Sequence, residues 1–304
     1  MYIYQEKDNL LHKIHPLTLI IYVFALSLFA LLFSHPVYLF WLFISVGLVI
    51  IAADIYQEWV FFLKISCGLV IMILLVNTFF VQLGSTVLLW GPSIPGIGKI
   101  RITLEAILFG LNMGLRFVII MSAFCLLTYA LHPDHALKLM GRLGNKWVLA
   151  LTVSTRLLPL MISDLGRIYD VQRCRGVNFV DKSKIRRVKN YLPIINAMII
   201  SSLERSFQLA EALEARGYGI GKRTYYSHQI LRPRDYLIFL SLIIAIILGL
   251  WLNFRGVTDF VFYPRIRRLQ IEEGLQAFLY SLFFIFPALL SWGWQKCPLL
   301  RSKI

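Results

Sequence analysis

The chain of 304 residues is 58% hydrophobic and only 15% charged, against about 25% charged in an ordinary soluble domain. Its mean hydropathy is +0.71, and its apolar residues gather into runs close to the roughly 20 residues that a helix needs to cross a bilayer. A soluble globular domain is excluded. The net charge of +15 would suit nucleic acid, but its distribution does not: residues 131–235 hold 18 of the 31 Lys and Arg together with 8 of the 16 acids. Membrane proteins concentrate Lys and Arg in their cytoplasmic loops, so this segment is expected in the cytoplasm and no nucleic-acid partner is expected.

In chain order, a polar lead of about 16 residues precedes an apolar run too long for a signal-peptide core, so that run reads as an uncleaved anchor. Spans are expected near 17–34, 37–53, 59–83, 105–130, 236–253 and 275–294. The fold class is therefore all-α, a polytopic membrane bundle of about six spans with two long cytoplasmic helices. It divides into an N-terminal membrane region at 1–130, a cytoplasmic region at 131–235 and a C-terminal membrane region at 236–304. His35-Pro36 enforces a tight turn between the first two spans. Gly91-Pro92 and Pro95-Gly96 mark a loop before the fourth. An even number of spans puts both termini on the cytoplasmic side with Lys7, Lys13, Lys296, Arg301 and Lys303. The loop at 254–274, carrying Arg255, Arg265, Arg267 and Arg268, runs against that assignment.

Two cations fall inside spans. Lys64 lies near a span end, where it can snorkel to the interface. Arg116 is deeper, and a structural and a functional role both stay open. The acids, histidines or broken helices that an ion-coupled carrier displays at mid-membrane are missing. Four cysteines are scattered singly and form no CxxC pair.

The basic segment holds two long amphipathic stretches. The first is expected to begin near Asn145, a good N-cap. Pro159 should kink or divide it. It ends at Cys174-Arg175-Gly176. The second is expected to begin near Asn190, with Pro193 in its first turn. Its small residues Ser202, Ser206 and Ala210 would allow close helix crossing, and it ends at Ala215-Arg216-Gly217. Glycine suits the left-handed position just past a helix, and an arginine before it complements the helix dipole in helices of no special function. Two such endings 41 residues apart in one insert also admit a second reading. Each would carry a planar guanidinium on the tip of a stiff rod, fit for bidentate bonds in an acidic groove of a partner.

On these residues the chain resembles the transmembrane T component of energy-coupling factor (ECF) transporters, a family that includes the permease of cobalt and biotin uptake systems. The likeness covers Leu11-His12-Lys13-Ile14-His15-Pro16-Leu17-Thr18, Gly110-Leu111-Asn112-Met113-Gly114-Leu115-Arg116, Arg156-Leu157-Leu158-Pro159-Leu160 and the two Arg-Gly signatures. It implies that Arg175 and Arg216, flanked by Cys174, Gly176, Ala215 and Gly217, each seat in a groove of one subunit of an ABC-type ATPase pair. It also implies crossing of the two helices at Ser202, Ser206, Ala210 and Pro159, and a substrate-binding S component as further partner. Cys174 stands where the family has alanine, and His15 where it has aspartate.

No GxxxxGK[ST] follows a strand, so the chain is not expected to bind nucleotide, and no DDxxD pair or Ser–His–Asp set points to an intramembrane enzyme, so neither an enzyme nor a cofactor is expected. His12 with His15, and His132 with His135, lack carboxylate or cysteine company, so no metal site is expected. The expected function is a non-catalytic coupling subunit for vitamin or metal-ion uptake in the plasma membrane of a prokaryote, surrounded by membrane lipid. The alternative is a stand-alone secondary transporter or channel.

Overall fold

The computed structural model describes residues 9–81, 84–94, 98–131, 139, 146–177, 179, 184–221, 232–264, 267 and 270–296. Asn145, Lys7, Arg301, Lys303, Arg265, Arg268, His132 and His135 lie outside them. The chain divides into two compact units, residues 1–136 with 229–304, and residues 137–228.

The first unit is built from a 3-10 turn at Leu10–Lys13, helices α1 (Pro16–Leu32), α2 (Pro36–Ala52), α3 (Tyr56–Phe80) and α4 (Leu104–Ala130), then α7 (Pro233–Phe254) and α8 (Ile271–Lys296). The second holds α5 (Lys146–Cys174) and α6 (Lys184–Ala215). Among the described residues, five helices are long and apolar enough to cross a membrane: α3, α4, Leu149–Cys174 within α5, α7 and α8. The two remaining apolar helices, α1 and α2, have 17 residues each, about 25 Å at 1.5 Å per residue.

Both short helices start alike. Pro16 and Pro36 occupy the first turn, where a missing N–H costs nothing. The preceding histidine caps in each case. His15 Nδ1 accepts from Leu17 N–H at 3.2 Å, and His35 Nδ1 accepts from Val37 N–H at 3.3 Å. Histidine thus supplies the acceptor that Ser, Thr, Asp or Asn commonly supplies at an N-cap. The start of α7 fixes this entry, because His15 N–H donates to Asp235 Oδ1 at 3.1 Å and Arg234 Nη2 donates to the Lys13 carbonyl at 2.7 Å.

The turn between α1 and α2 is largely covered by protein, with Ser34 half-buried. Phe33 and His35 are 0% exposed, and each backbone group of residues 33–35 has a partner. Phe33 N–H closes on Phe29, and Ser34 and His35 N–H both donate to the Thr258 carbonyl, at 3.1 and 2.9 Å. The Phe33 carbonyl accepts from Arg116 Nη2 at 2.9 Å, Ser34 from Asn112 Nδ2 at 3.0 Å, and His35 from Leu39 N–H. Non-helical backbone is tolerated beside lipid only where protein satisfies it in this way. With Nδ1 engaged as acceptor, the His35 ring donates through Nε2 to Glu273 Oε2 at 3.1 Å. Arg267 then donates to the other oxygen of Glu273 at 3.0 Å.

Around this turn Phe29, Phe33, Tyr38, Tyr280 and Phe284 form the aromatic centre of the core, with edge or tilted contacts between 5.3 and 6.4 Å. Gly249 on α7 lets these rings close. A Cβ there would sit 2.4 Å from Phe29 and 2.5 Å from Tyr280 Oη.

Three expectations are corrected. The segment at 91–94 is not simply a loop, since Val87–Ile94 (β1) pairs antiparallel with Gly98–Thr103 (β2), while Pro95 and Gly96 lie outside the described residues. Gly91 and Pro92 fall where the register shifts between Trp90 and Ser93, as suits a residue with no N–H to give a ladder. The second amphipathic helix begins at Lys184, so Pro193 is interior rather than in the first turn. Pro159 likewise lies inside one continuous helix, so it does not divide α5.

Candidate functional site

The C-termini of α5 and α6 end by the same device. At the first, Gly176 has φ +83°, its N–H donates to the Arg173 carbonyl at 3.0 Å, and Val177 N–H donates to Gln172 at 3.2 Å. At the second, Gly217 has φ +74°, its N–H donates to Glu214 at 2.8 Å, and Tyr218 N–H donates to Leu213 at 3.0 Å. These paired bonds are the Schellman closure, which needs a left-handed residue and so favours glycine. Arg175 and Arg216 occupy the cap position itself. Both are exposed, as are their neighbours Cys174 and Ala215. Among the described residues neither guanidinium has a hydrogen-bond or ion-pair partner.

A third ending in this chain is built the same way. Gly256 has φ +68°, its N–H donates to Asn253 at 3.0 Å, and Val257 N–H donates to Leu252 at 3.3 Å. It closes α7, and its cap residue Arg255 lies over the Trp251 ring at 4.0 Å. An Arg-Gly ending alone is therefore a terminator. The surroundings of Arg175 and Arg216 distinguish them.

Those surroundings are set where α5 and α6 meet. Arg205 Nη2 pairs with Asp164 Oδ2 at 2.5 Å, with both side chains partly buried. Beside the pair lies an open apolar groove of about 350 Å³ in which Met161 of α5 faces Met198, Ser202 and Ser206 of α6. Ser206 Oγ donates within its own helix to the Ser202 carbonyl at 2.8 Å, so its hydroxyl proton needs no partner from α5. Ala210 and Pro159 do not line this groove. Nearer the start of α6, Tyr169, Phe179 and Tyr191 stack in series at 4.7 and 5.1 Å.

The ion pair stands eleven residues before each tip, from 164 to 175 and from 205 to 216. Two helical arms of equal length, about 16 Å at 1.5 Å per residue, thus lead from one contact to two identical caps. Sequence reading missed this pair. The signal was present: Asp164 and Arg205 carry opposite charges at the same 41-residue spacing as the two arginines.

Residues 7–226, which include both Arg-Gly caps, match the family of cobalt transport proteins, CbiQ. The chain belongs to this family. The energy-coupling factor transporter transmembrane protein EcfT of Streptococcus equi subsp. equi is 32% identical over 209 residues, 64% of this chain and 74% of that protein. EcfT of Ruminiclostridium cellulolyticum is 26% identical over 226 residues, covering 71% and 82%. EcfT of Streptococcus thermophilus is 36% identical over 156 residues, covering 46% and 58%. The CbiQ match stops before α7, so the Arg-Gly ending of that helix lies outside it.

Proposed function

We propose that this chain is the transmembrane coupling subunit of an ECF-type ABC transporter. Arg175 and Arg216 each seat in a groove of one subunit of an ATPase pair. ATP binding closes the pair, the two arms move with it, and the crossing passes that motion to a substrate-binding S component for uptake of a vitamin or metal ion. ATP hydrolysis belongs to the partner subunits. The chain resides in the plasma membrane of a prokaryote, with both termini and α5–α6 on the cytoplasmic side.

The observation that carries this reading is the pair of equal arms ending in identical exposed arginine caps. An ATPase pair offers two equivalent grooves, and equal arms from one contact suit two equivalent receptors. The apolar run of α5 does not oppose the cytoplasmic placement. Arg156, Asp164, Arg167, Asp170 and Arg173 interrupt it, and a charged residue at the centre of a spanning helix costs about 2.5–3.5 kcal/mol by insertion scales. The contact of Arg116 with the Phe33 carbonyl supports a structural reading of this cation over a carrier role.

Purification from detergent tests the proposal. An ATPase pair should co-purify with the wild-type chain and be lost from Arg175→Glu and Arg216→Glu chains that still insert. Full substrate uptake by the double variant would overturn it.

A further inference from the structure

The loop after α7 carries arginines that the coupling function does not use. Among the described ones, Arg267 is consumed by Glu273. Arg255 forms no ion pair among the described residues and stacks on Trp251. It stands at the rim of a groove of about 290 Å³ between α7 and α8.

Polarity is graded along this groove. Arg255, just past the end of α7, and Gln276, in the second turn of α8, mark one end. Leu248 and Phe283, seven residues further into each helix, mark the other, with Trp251 and Leu279 between. Because the end of α7 meets the beginning of α8, both polar residues lie at the level where these helices leave the membrane, and the apolar ones descend from them. Seven helical residues span about 10 Å. A partner helix would not require such a gradient along its own length, whereas an amphiphile does. The head must also be anionic, since the rim offers an unpaired guanidinium whose planar donors match phosphate oxygens. A tryptophan at this level suits the interface as well.

We propose that this groove seats one acyl chain of an anionic phospholipid whose phosphate is held by Arg255, with the Gln276 amide as a second donor. The bound lipid neutralises Arg255 on the side where the positive-inside pattern leaves it unexplained. The proposal requires only that α7 and α8 cross the bilayer, and it stands apart from the ATPase reading.

Native mass spectrometry of the delipidated full-length chain tests it, with phosphatidylglycerol and phosphatidylcholine as probes. The wild-type chain should retain phosphatidylglycerol in preference to phosphatidylcholine, and added salt should shrink that preference. Arg255→Ala should lower phosphatidylglycerol retention about tenfold, as expected for losing a charged hydrogen bond, and leave phosphatidylcholine unchanged. Leu279→Trp, which fills the groove, should lower both. Equal retention of the two lipids by wild type, or full retention by Arg255→Ala, would overturn the proposal. So would loss of all bound lipid in the assembled transporter together with weakened assembly of Leu279→Trp, because the groove would then belong to a partner helix. The salt dependence is read on wild type alone, so the test survives a variant that fails to fold.

Discussion

Arg116 donates to the carbonyl of Phe33 at 2.9 Å, across 83 residues of chain. The contact gives this cation of a membrane helix a structural task, satisfying a carbonyl just past the end of a helix from a different part of the sequence. Nearby, Asn112 does the same for Ser34. Arg116→Met should therefore destabilise the chain by about 1.5–3 kcal/mol, the worth of a hydrogen bond to a charged group. Thermal unfolding in detergent measures this. Transport per folded molecule should stay unchanged, and a transport defect in a normally stable variant would show instead a role in the substrate path.

The same turn makes stability depend on pH. Burial pushes the His35 imidazole below its usual range, against the opposing pull of Glu273. The unfolded chain then takes up a proton near pH 6.5 while the folded one does not. Stability conferred by the neutral ring is present above that pH and is lost as pH falls from there towards the folded value. Unfolding temperatures of wild type and His35→Asn should diverge in slope below about pH 6.5, with the variant the flatter. Parallel curves would show that His35 binds its proton equally well in the folded and unfolded chain.

Gly176 and Gly217 hold left-handed backbone with φ of +83° and +74°. Alanine at either place should cost roughly 1–2 kcal/mol locally and fray the last turn that aims the arginine. Hydrogen exchange at the amides of Val177 and Tyr218 should rise, and ATPase co-purification should weaken while membrane insertion is unaffected. Asparagine, which tolerates this conformation better, should be milder than alanine.

The Asp164–Arg205 contact is partly exposed, so its own worth is about 0.2–1 kcal/mol. Its geometric role is larger. Either single charge reversal should reduce coupling of ATP hydrolysis to uptake, and the swap Asp164→Arg with Arg205→Asp should restore much of it. A double-mutant cycle on uptake measures this, and a swap no better than the sum of the single variants would show that the pair does not set the crossing.

The sequence shows the spans because burial in lipid demands long apolar runs, and those expected near 17–34 and 37–53 appear as helices at 16–32 and 36–52. The two Arg-Gly caps were legible because a left-handed terminator needs glycine at one fixed place. Other features left no local trace. The partner of Arg116 is a backbone carbonyl, which no side-chain pattern announces. Pro193 suggested a helix start by its usual preference for the first turn. The helix nevertheless continues through it, where Ile194 is 4% exposed and Tyr191 packs on Phe179. Tertiary packing there outweighs one lost hydrogen bond. The pairing of 87–94 with 98–103 was hidden because Gly91 and Pro92, read as loop formers, sit in its irregular register.

The central claim is that Arg175 and Arg216 join this chain to its ATPases. Co-purification of the ATPase pair with the Arg175→Glu, Arg216→Glu double variant tests it most directly, with Arg167→Glu, an exposed charge reversal two turns before the first tip, as the comparison. Losing a buried hydrogen-bonded charge pair costs about 2–5 kcal/mol, so the double variant should lose the pair altogether while Arg167→Glu keeps it. Equal recovery of the ATPases with wild type and the double variant would contradict the account.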